Sequence, residues 1–526
     1  MSPIEAIMLS IAITVIMRLA SYLLEITLSD FLIIITLFII ILIYGINKSR
    51  STILELLYLS LGTIASVYAF DKGYDSWAYH LKATLLLSEG WNPFLENDPA
   101  LWAEKSLKLF QPNQDYYWVE VYPKASWFVG QELARIFGNL EAVKAISVFI
   151  TLHVYKIWKE VLENQSLKHS KFYAILITCS PIAISQFYTA YVDGLLGLSI
   201  SAMIGAHLNY LQGKNVKHVI IMGLYAIFAA NLKYTGAVYV VLLGVPMIVQ
   251  CLKNNGRAIT LIIFLGLLVS WNPYVTNALN YGDPLVGINS NDVMFNQMDE
   301  QFLEKNRFVK AIYGYFYSNI DPYEVQNNLG PFDQRSHHEL RKLVTEQDLE
   351  IGGFGPLFGI CFVILIFAYI LTVFLKRFER LDQVDGFIGL LLITILINPE
   401  FWWSRYVPQF WLLSVLIIIQ LKRRDAFSRI VLIVTTMLGT TSAFMLIGWL
   451  ASTIVVTDRV HGQISQIYID KMYADTSPQN ISFSPVARTI LGAKQQNLII
   501  ENGECTKYDR YFSHIKGCSV ENWRAK

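Results

Sequence analysis

Apolar runs of about 20 residues recur along most of this chain and constrain its fold more than any other feature. A helix of that length crosses the hydrocarbon core of a bilayer, which is roughly 30 Å thick. Only 16% of the 526 residues are charged, whereas soluble domains carry about 25%. We therefore expect a polytopic all-α membrane protein, which excludes a soluble enzyme, a disordered chain, a collagen and a disulfide scaffold.

Cutting the apolar runs at charged or turn-rich breaks predicts about thirteen transmembrane helices. They lie near 4–24, 29–46, 52–70, 140–158, 171–190, 194–211, 218–231, 235–251, 258–275, 354–375, 385–398, 406–421 and 429–451. The first run has no small-residue cleavage site after it, so we expect it to be retained as a span.

Lys and Arg residues mark every second connection between these spans. The basic connections hold Lys48 and Arg50; Lys156, Lys159, Lys168 and Lys171; Lys214 and Lys217; Lys253 and Arg257; Lys376, Arg377 and Arg380; and Lys422, Arg423, Arg424 and Arg429. The alternate set includes two long loops, 71–139 and 276–353, that have more acids than bases. Because short cytoplasmic loops are rich in Lys and Arg, the amino terminus is predicted to be cytoplasmic and the long loops extracytoplasmic.

The chain is expected to divide into a transmembrane domain, 1–451, and a small extracytoplasmic carboxy-terminal domain, 452–526. Cys505 and Cys518 lie in this tail. In an oxidising compartment they would form either a disulfide or two free thiols, and the sequence leaves both open.

Several motifs of other protein classes do not occur. There is no Gly-x-x-x-x-Gly-Lys loop, Asp-x-Asp, His-x-x-x-His or Cys-x-x-Cys, so neither ATP hydrolysis nor a built-in zinc site is indicated. A net charge of +1 gives no sign of a nucleic-acid partner. Ionisable residues within the spans are few, His153 and His207 being the clearest, which weakens the case for an ion-coupled transporter.

The segment after the third span has helical periodicity over residues 75–88. One face carries Trp77, Leu81, Leu85 and Ser88, and another carries Asp75, Tyr79 and Lys82. Gly90 ends the periodicity and Pro93 prevents its renewal. This pattern predicts an amphipathic helix at the membrane interface, with Asp75 at its start.

This segment resembles the first outer loop of GT-C glycosyltransferases. The residues of this chain that carry the likeness are Asp75, Tyr79, Gly90-Trp91 and Pro93. It is most similar to aminoarabinose transferases and protein O-mannosyltransferases, polytopic enzymes that take a sugar from a polyprenyl-phosphate carrier. The resemblance covers about 20 residues and the architecture. It implies a GT-C-like fold and a reaction served by Asp75.

Physical chemistry leads to the same candidate. Asp75 can take the proton of an acceptor hydroxyl, a contribution of about 10²–10⁴ in rate, although a helix N-cap is the simpler role for it. Asp71 is the rival base, or else an interfacial loop acid. Tyr79 and His80 are expected to be interfacial anchors or substrate-binding groups.

Two cations lie at the predicted outer ends of spans, where short-loop basic residues are uncommon. Lys233 and Arg405 either snorkel to the headgroups or bind the phosphate of a lipid-linked donor. Asp193 either caps a span or is a second acid for the acceptor or a metal. Nothing in the sequence requires a metal or another cofactor, although Asp75 and Asp193 together could bind a divalent ion.

An aromatic run follows in the same loop. Tyr116-Tyr117-Trp118, Tyr122 and Trp127 are typical of an interface belt, and sugar rings also stack on such faces. Lys82 and Lys124 are expected to be solvated loop charges.

The sequence therefore predicts an integral glycosyltransferase of the cytoplasmic membrane. It would move a sugar, with inversion, from a polyprenyl-phosphate donor to a glycan, lipid or protein acceptor on the extracytoplasmic face. The alternatives are an O-antigen polymerase or ligase and, from another class, a lipid-linked sugar flippase or transporter, which would show repeated halves. A non-enzymatic scaffold whose tail binds cell-wall material is a further alternative.

Overall fold

The computed structural model describes most of the helical part of the chain and short segments of the tail. The described residues are 2–24, 50–107, 114–286, 304–316, 319–320, 344–345, 349, 351–355, 357–375, 381–469, 472–474, 498–499, 503–506, 510–512, 515–518 and 523–525. The predicted span 29–46, much of the loop 276–353 and the side chains of Cys505 and Cys518 lie outside them. The disulfide therefore stays a prediction.

The first half of the chain is helical. Its helices are α1 (Pro3–Leu24), α2 (Arg50–Tyr68), a π-helical turn (Ser76–His80), α3 (Leu81–Ser88), α4 (Pro99–Leu107), α5 (Gln114–Val121), α6 (Ala125–Phe137), a 3₁₀ turn (Leu140–Lys144), α7 (Ala145–Asn164), α8 (Ser170–Thr178), α9 (Pro181–Ser185), α10 (Asp193–Gly213) and α11 (Val216–Ala230).

The second half continues with α12 (Tyr234–Val269), a turn at Trp271–Val275, α13 (Thr276–Tyr281), α14 (Arg307–Phe316), α15 (Phe358–Leu375), α16 (Gln383–Ile397), a 3₁₀ turn (Ser404–Tyr406), α17 (Phe410–Arg423) and α18 (Ser428–Ile469). Two short strands, β1 (Asn319–Ile320) and β2 (Ile351–Gly352), pair antiparallel between α14 and α15.

Five of the described helices are long and apolar enough to cross a membrane. They are Pro3–Leu24, Asp193–Gly213, Tyr234–Val269, Phe358–Leu375 and the part of α18 from Ser428 to Gln463; Ile53–Tyr68, Val216–Ala230 and Gln383–Ile397 are shorter apolar helices. This confirms the prediction of a helical membrane protein.

Helix α10 forms the centre of the bundle, since 89% of its most apolar 18-residue stretch is buried within the protein. It packs against α7, α9 and α11. Gly194 permits the close approach of α9, because a Cβ there would lie 3.0 Å from the Cα of Ala183. A side chain would push these two elements apart.

One predicted span differs from the structure. The run 171–190 is not one helix: α8 ends at Thr178, and α9 begins anew with Ser180 as its N-cap and Pro181 in its first turn. Proline favours this position because it cannot donate to a preceding turn. The runs 235–251 and 258–275 share the label α12, but its backbone departs from helical torsions at Asn255. Its two ends lie together, since Asn231 Nδ2 donates to Ser270 Oγ at 3.0 Å, so α12 consists of two helices that double back at this kink.

The carboxy-terminal segment also differs. Helix α18 continues to Ile469, beyond the predicted end of the last span at 451. The tail then forms short strands rather than helices: β3 (Met472–Ala474), β4 (Leu498–Ile499), β5 (Gly503–Cys505), β6 (Arg510–Phe512), β7 (Ile515–Cys518) and β8 (Trp523–Ala525). One sheet has the order β4-β3-β7-β6, and β5 pairs with β8.

Candidate functional site

Four charged side chains from distant parts of the chain meet at one end of the bundle. Arg405 joins two carboxylates: its Nη2 lies 2.7 Å from Oδ2 of Asp75, and its Nε lies 2.9 Å from Oδ2 of Asp193. Lys233 Nζ lies 2.6 Å from Oδ1 of Asp193. We call Asp75, Asp193, Lys233 and Arg405 the charge cluster. All four were candidates from the sequence, and the fold brings them together.

Each member of the charge cluster stands at the end of a helical element. Asp75 precedes the π-helical turn, Asp193 begins α10, Lys233 precedes α12, and Arg405 lies in the 3₁₀ turn before α17. A carboxylate at a helix amino terminus also interacts favourably with the helix dipole. Helix ends are thus the elements that position this site.

The two carboxylates have different surroundings. The side chain of Asp193 is 1% exposed, and its Oδ2 also accepts a hydrogen bond from Nε2 of Gln186 at 3.0 Å. The side chain of Asp75 is 19% exposed. Asp193 therefore holds the two cations in place, whereas Asp75 is the more exposed of the two carboxylates.

Aromatic rings flank both cations. The Arg405 guanidinium carbon lies 4.8 Å from the centre of the Tyr191 ring, and Lys233 Nζ lies 4.2 Å from that of Tyr406. The Tyr191 hydroxyl accepts a hydrogen bond from the backbone N–H of Asp75 at 3.1 Å. Burial raises the pKa of both tyrosines well above its usual value, so their hydroxyls stay neutral. These rings stabilise the cations and reduce their contact with water.

His80 lies inside the protein, and Tyr79 is half-buried beside it. The centre of the Tyr79 ring is 4.3 Å from that of His80 and 5.7 Å from that of Tyr122. His80 is 1% exposed, and its Nδ1 accepts a hydrogen bond from Trp127 Nε1 at 2.8 Å. Burial lowers the pKa of His80 to about 4, so the ring is neutral and packs behind the charge cluster.

The helix predicted over 75–88 is present as the π-helical turn and α3, but α3 has no polar face exposed to water. Residues 81–87 are buried on every side, so α3 packs within the first loop instead of lying on lipid. Lys82 and Lys124, expected to be solvated, are both 0% exposed. Lys124 Nζ donates to the carbonyl oxygens of Glu120 and Tyr122, and burial lowers its pKa to about 7. That expectation was wrong because the apolar residues around these lysines pack into the core that the loop shares with the spans.

Asp71, the alternative general base, is held by backbone amides inside the protein. Its carboxylate accepts hydrogen bonds from the backbone N–H groups of Gly73 at 2.9 Å and Ala190 at 2.8 Å. Its side chain is buried, and burial, opposed by Lys144, raises its pKa to about 7. Asp71 thus joins the segment that carries Asp75 to the corner before Asp193.

Three residues near the charge cluster were not candidates from the sequence: Gln186, Tyr191 and Glu400. Burial raises the pKa of Glu400, and the charges of Lys310 and Lys233 oppose that shift. Glu400 lies five residues before Arg405 and directly before an aromatic run. An acid in such a place could have marked it as a candidate site residue. Gln186 and Tyr191 carry no comparable signal, since polar and aromatic side chains are common in loops.

The sequence suggested that Asp75 and Asp193 could together bind a divalent ion. In the structure the Arg405 guanidinium contacts both carboxylates. Among the described residues, no group of three or more His, Cys, Asp or Glu side chains could hold a metal ion.

Comparison of the chain with protein-family models, with curated proteins and with solved structures finds no match.

Proposed function

We propose that this protein is an integral membrane glycosyltransferase. It would transfer a sugar, with inversion, from a polyprenyl-phosphate donor to an acceptor on the extracytoplasmic face. The observation that supports this most is the charge cluster, in which Arg405 contacts both Asp75 and Asp193. A partly exposed carboxylate beside a buried arginine and a half-buried lysine provides the proton acceptor and the phosphate-binding groups that the reaction needs.

In this proposal Asp75 acts as the general base. The acceptor oxygen attacks the anomeric carbon and forms the new glycosidic bond, while its proton passes to the Asp75 carboxylate. The bond between the anomeric carbon and the phosphate oxygen breaks, and its electron pair leaves with the lipid phosphate. Attack opposite to the leaving group inverts the anomeric configuration.

Lys233 and Arg405 would receive the phosphate. Their side chains are 14% and 9% exposed, so an incoming anion meets both at the surface of the cluster. The cluster has two acids and two bases and is formally neutral, which lets the cations remain buried without a donor. An incoming phosphate would compete with Asp75 for Arg405 and release the carboxylate for proton transfer.

The same proposal includes a GT-C-like fold with about thirteen spans. It also places the protein in the cytoplasmic membrane, with its amino terminus on the cytoplasmic side. The alternation of basic connections supports this orientation. The charge cluster then lies on the extracytoplasmic side, where nucleotide sugars are not expected and a lipid-linked sugar serves as the activated donor.

The test uses purified full-length protein in liposomes with a synthetic polyprenyl-phosphate sugar and measures released polyprenyl phosphate. Asp75→Asn should lower release by about 10²-fold or more. Asp98→Asn is the matched control, because this acid of the same loop is exposed. Release unchanged in Asp75→Asn would remove Asp75 from the mechanism. Lipid translocation without release would favour the flippase, and transfer of whole oligosaccharides would favour the polymerase or ligase.

A further inference from the structure

A cavity of about 420 Å³ lies within the membrane-spanning part of the protein, in the size range of small-molecule sites. Its walls come from α1, α6, α7, α11 and α12. Apolar side chains that line it include Met8, Val15, Val129, Ile150, Leu224 and Leu265. The α11 wall runs from Val216 to Phe228, a length of about 18 Å at 1.5 Å per residue. The cavity is thus long and narrow enough for an extended hydrocarbon chain.

Within the part of the chain that the structure describes, the cavity opens on one side at an apolar surface. Leu9 and Ile220 line it, and they are also 37% and 41% exposed on the protein surface. At one end lie Glu5 and Lys217, joined by an ion pair of 2.7 Å. A molecule dissolved in the bilayer could enter sideways without crossing a charged surface.

One polar atom in this apolar space has no partner. His153 lines the cavity and is 3% exposed. Its Nδ1 is hydrogen-bonded to the hydroxyl of Tyr225 at 2.8 Å, but its Nε2 has no hydrogen-bond partner. A buried polar group without a partner costs about 1–3 kcal/mol. A single water would require two to four polar partners, and the surrounding lining is mostly hydrocarbon.

We propose that this cavity binds a neutral long-chain lipid alcohol, with its hydroxyl at His153 and its chain along α11. A hydroxyl can both donate and accept, so it satisfies Nε2 in either tautomer of the imidazole. His153 lies midway along α7 among apolar lining side chains, where a charged headgroup would be costly to bury. A glycerolipid would keep its ester groups near the surface, whereas a single hydroxyl can lie this deep.

The test uses the full-length protein in nanodiscs with a long-chain alcohol that carries a diazirine and an alkyne, and with the matching alkane. Photolabelling by the alcohol should saturate, should exceed labelling by the alkane, and should map to α1 and α11. His153→Phe should lower alcohol labelling by about 3- to 10-fold, the range of one hydrogen bond, and leave alkane labelling unchanged. His207→Phe is the control, since His207 is hydrogen-bonded to Gln250 outside the cavity.

Leu224→Trp, or Ala12→Phe if the first variant does not fold, should fill the cavity and abolish labelling at these helices. Equal labelling by alcohol and alkane in the unaltered protein would overturn the proposal, because His153 would then contribute nothing. Labelling that does not saturate would also overturn it, since ordinary bilayer contact would account for the signal. The result does not depend on glycosyltransferase activity.

Discussion

Arg405 Nη2 lies 2.7 Å from Oδ2 of Asp75, although 330 residues separate the two in the chain. The same guanidinium contacts Asp193 through Nε. The candidate base and a candidate phosphate-binding cation therefore form one connected unit. A change at one of them should alter both proton transfer and donor binding, and this connection underlies the first two predictions.

Arg405→Lys should lower both the stability and the donor affinity of the protein. A lysine ammonium keeps the charge but lacks the planar fork that reaches two carboxylates at once. Breaking a buried ion pair costs about 3–5 kcal/mol, and the side chains of Arg405 and Asp193 are 9% and 1% exposed. Thermal unfolding in detergent measures the loss. Arg423→Lys is the control, because its pair with Asp382 is 31% and 37% exposed and should contribute about 0–1 kcal/mol. Equal effects of both variants would contradict the structural role given to Arg405.

Asp193→Asn should tighten the binding of polyprenyl phosphate and slow turnover. Removing this carboxylate changes the formal charge of the charge cluster from zero to +1, so the released anion is held more strongly. Equilibrium binding of polyprenyl phosphate to the purified variant measures the change, with Asp98→Asn as the control. Weaker product binding in Asp193→Asn would contradict this prediction, because the loss of the carboxylate that holds the cations in place would then outweigh the gain in positive charge.

The stability of the protein should fall in acid through His80. Burial lowers its folded-state pKa to about 4 from 6.5. At neutral pH the ring is uncharged in both states. Between about pH 6.5 and 4 only the unfolded state takes up the proton, so stability decreases as the pH falls. A fall of the His80 pKa from 6.5 to about 4 corresponds to at most about 3 kcal/mol of stability.

Thermal unfolding from pH 7.5 to pH 4 in the unaltered protein and in His80→Gln isolates this contribution, since glutamine does not titrate. His169→Gln, at an exposed position, should leave the pH profile unchanged. Identical profiles for the unaltered protein and His80→Gln would mean that folding does not change the pKa of His80, which would contradict this prediction.

Gly236→Ala should destabilise the protein and weaken donor binding. A Cβ at this position would lie 2.1 Å from the carbonyl oxygen of Ala229, so the turn that carries Lys233 would have to move. Gly244→Ala in the same helix is the control, since its Cβ would meet only Val240 Cγ1 at 4.0 Å. That variant should gain about 0.5–1 kcal/mol from helix propensity. Thermal unfolding and donor titration distinguish the two, and a Gly236→Ala variant that behaves like Gly244→Ala would refute the packing argument.

The predicted orientation can be tested with single cysteines in a chain whose five native cysteines are replaced. Leu95→Cys lies in the first long loop, where Leu95 is 53% exposed. It should react with a membrane-impermeant thiol reagent added to intact cells. Lys168→Cys, in a basic connection, should react only after the membrane is opened. The reverse pattern would invert the topology and move the charge cluster to the cytoplasmic side.

Much of the candidate site was predictable from charge placement. Lys233 and Arg405 stood out because basic residues are uncommon at the outer ends of spans, and Asp75 stood out through the resemblance of its segment to the GT-C outer loop. Their assignment to a substrate remains a prediction. The burial of Lys82, Lys124 and His80 could not be predicted, since helical periodicity shows which residues share a face but not what covers that face.

The sequence by itself determined that the chain is a helical membrane protein, because hydrophobic length and the distribution of Lys and Arg act locally and can be read along the chain. Only the tertiary structure decided which acid meets which base. Asp71 is bound by an amide 119 residues away, at Ala190, and Asp75 by a guanidinium 330 residues away. Such pairings arise from how helix ends come together in space, and no local rule of spacing encodes that.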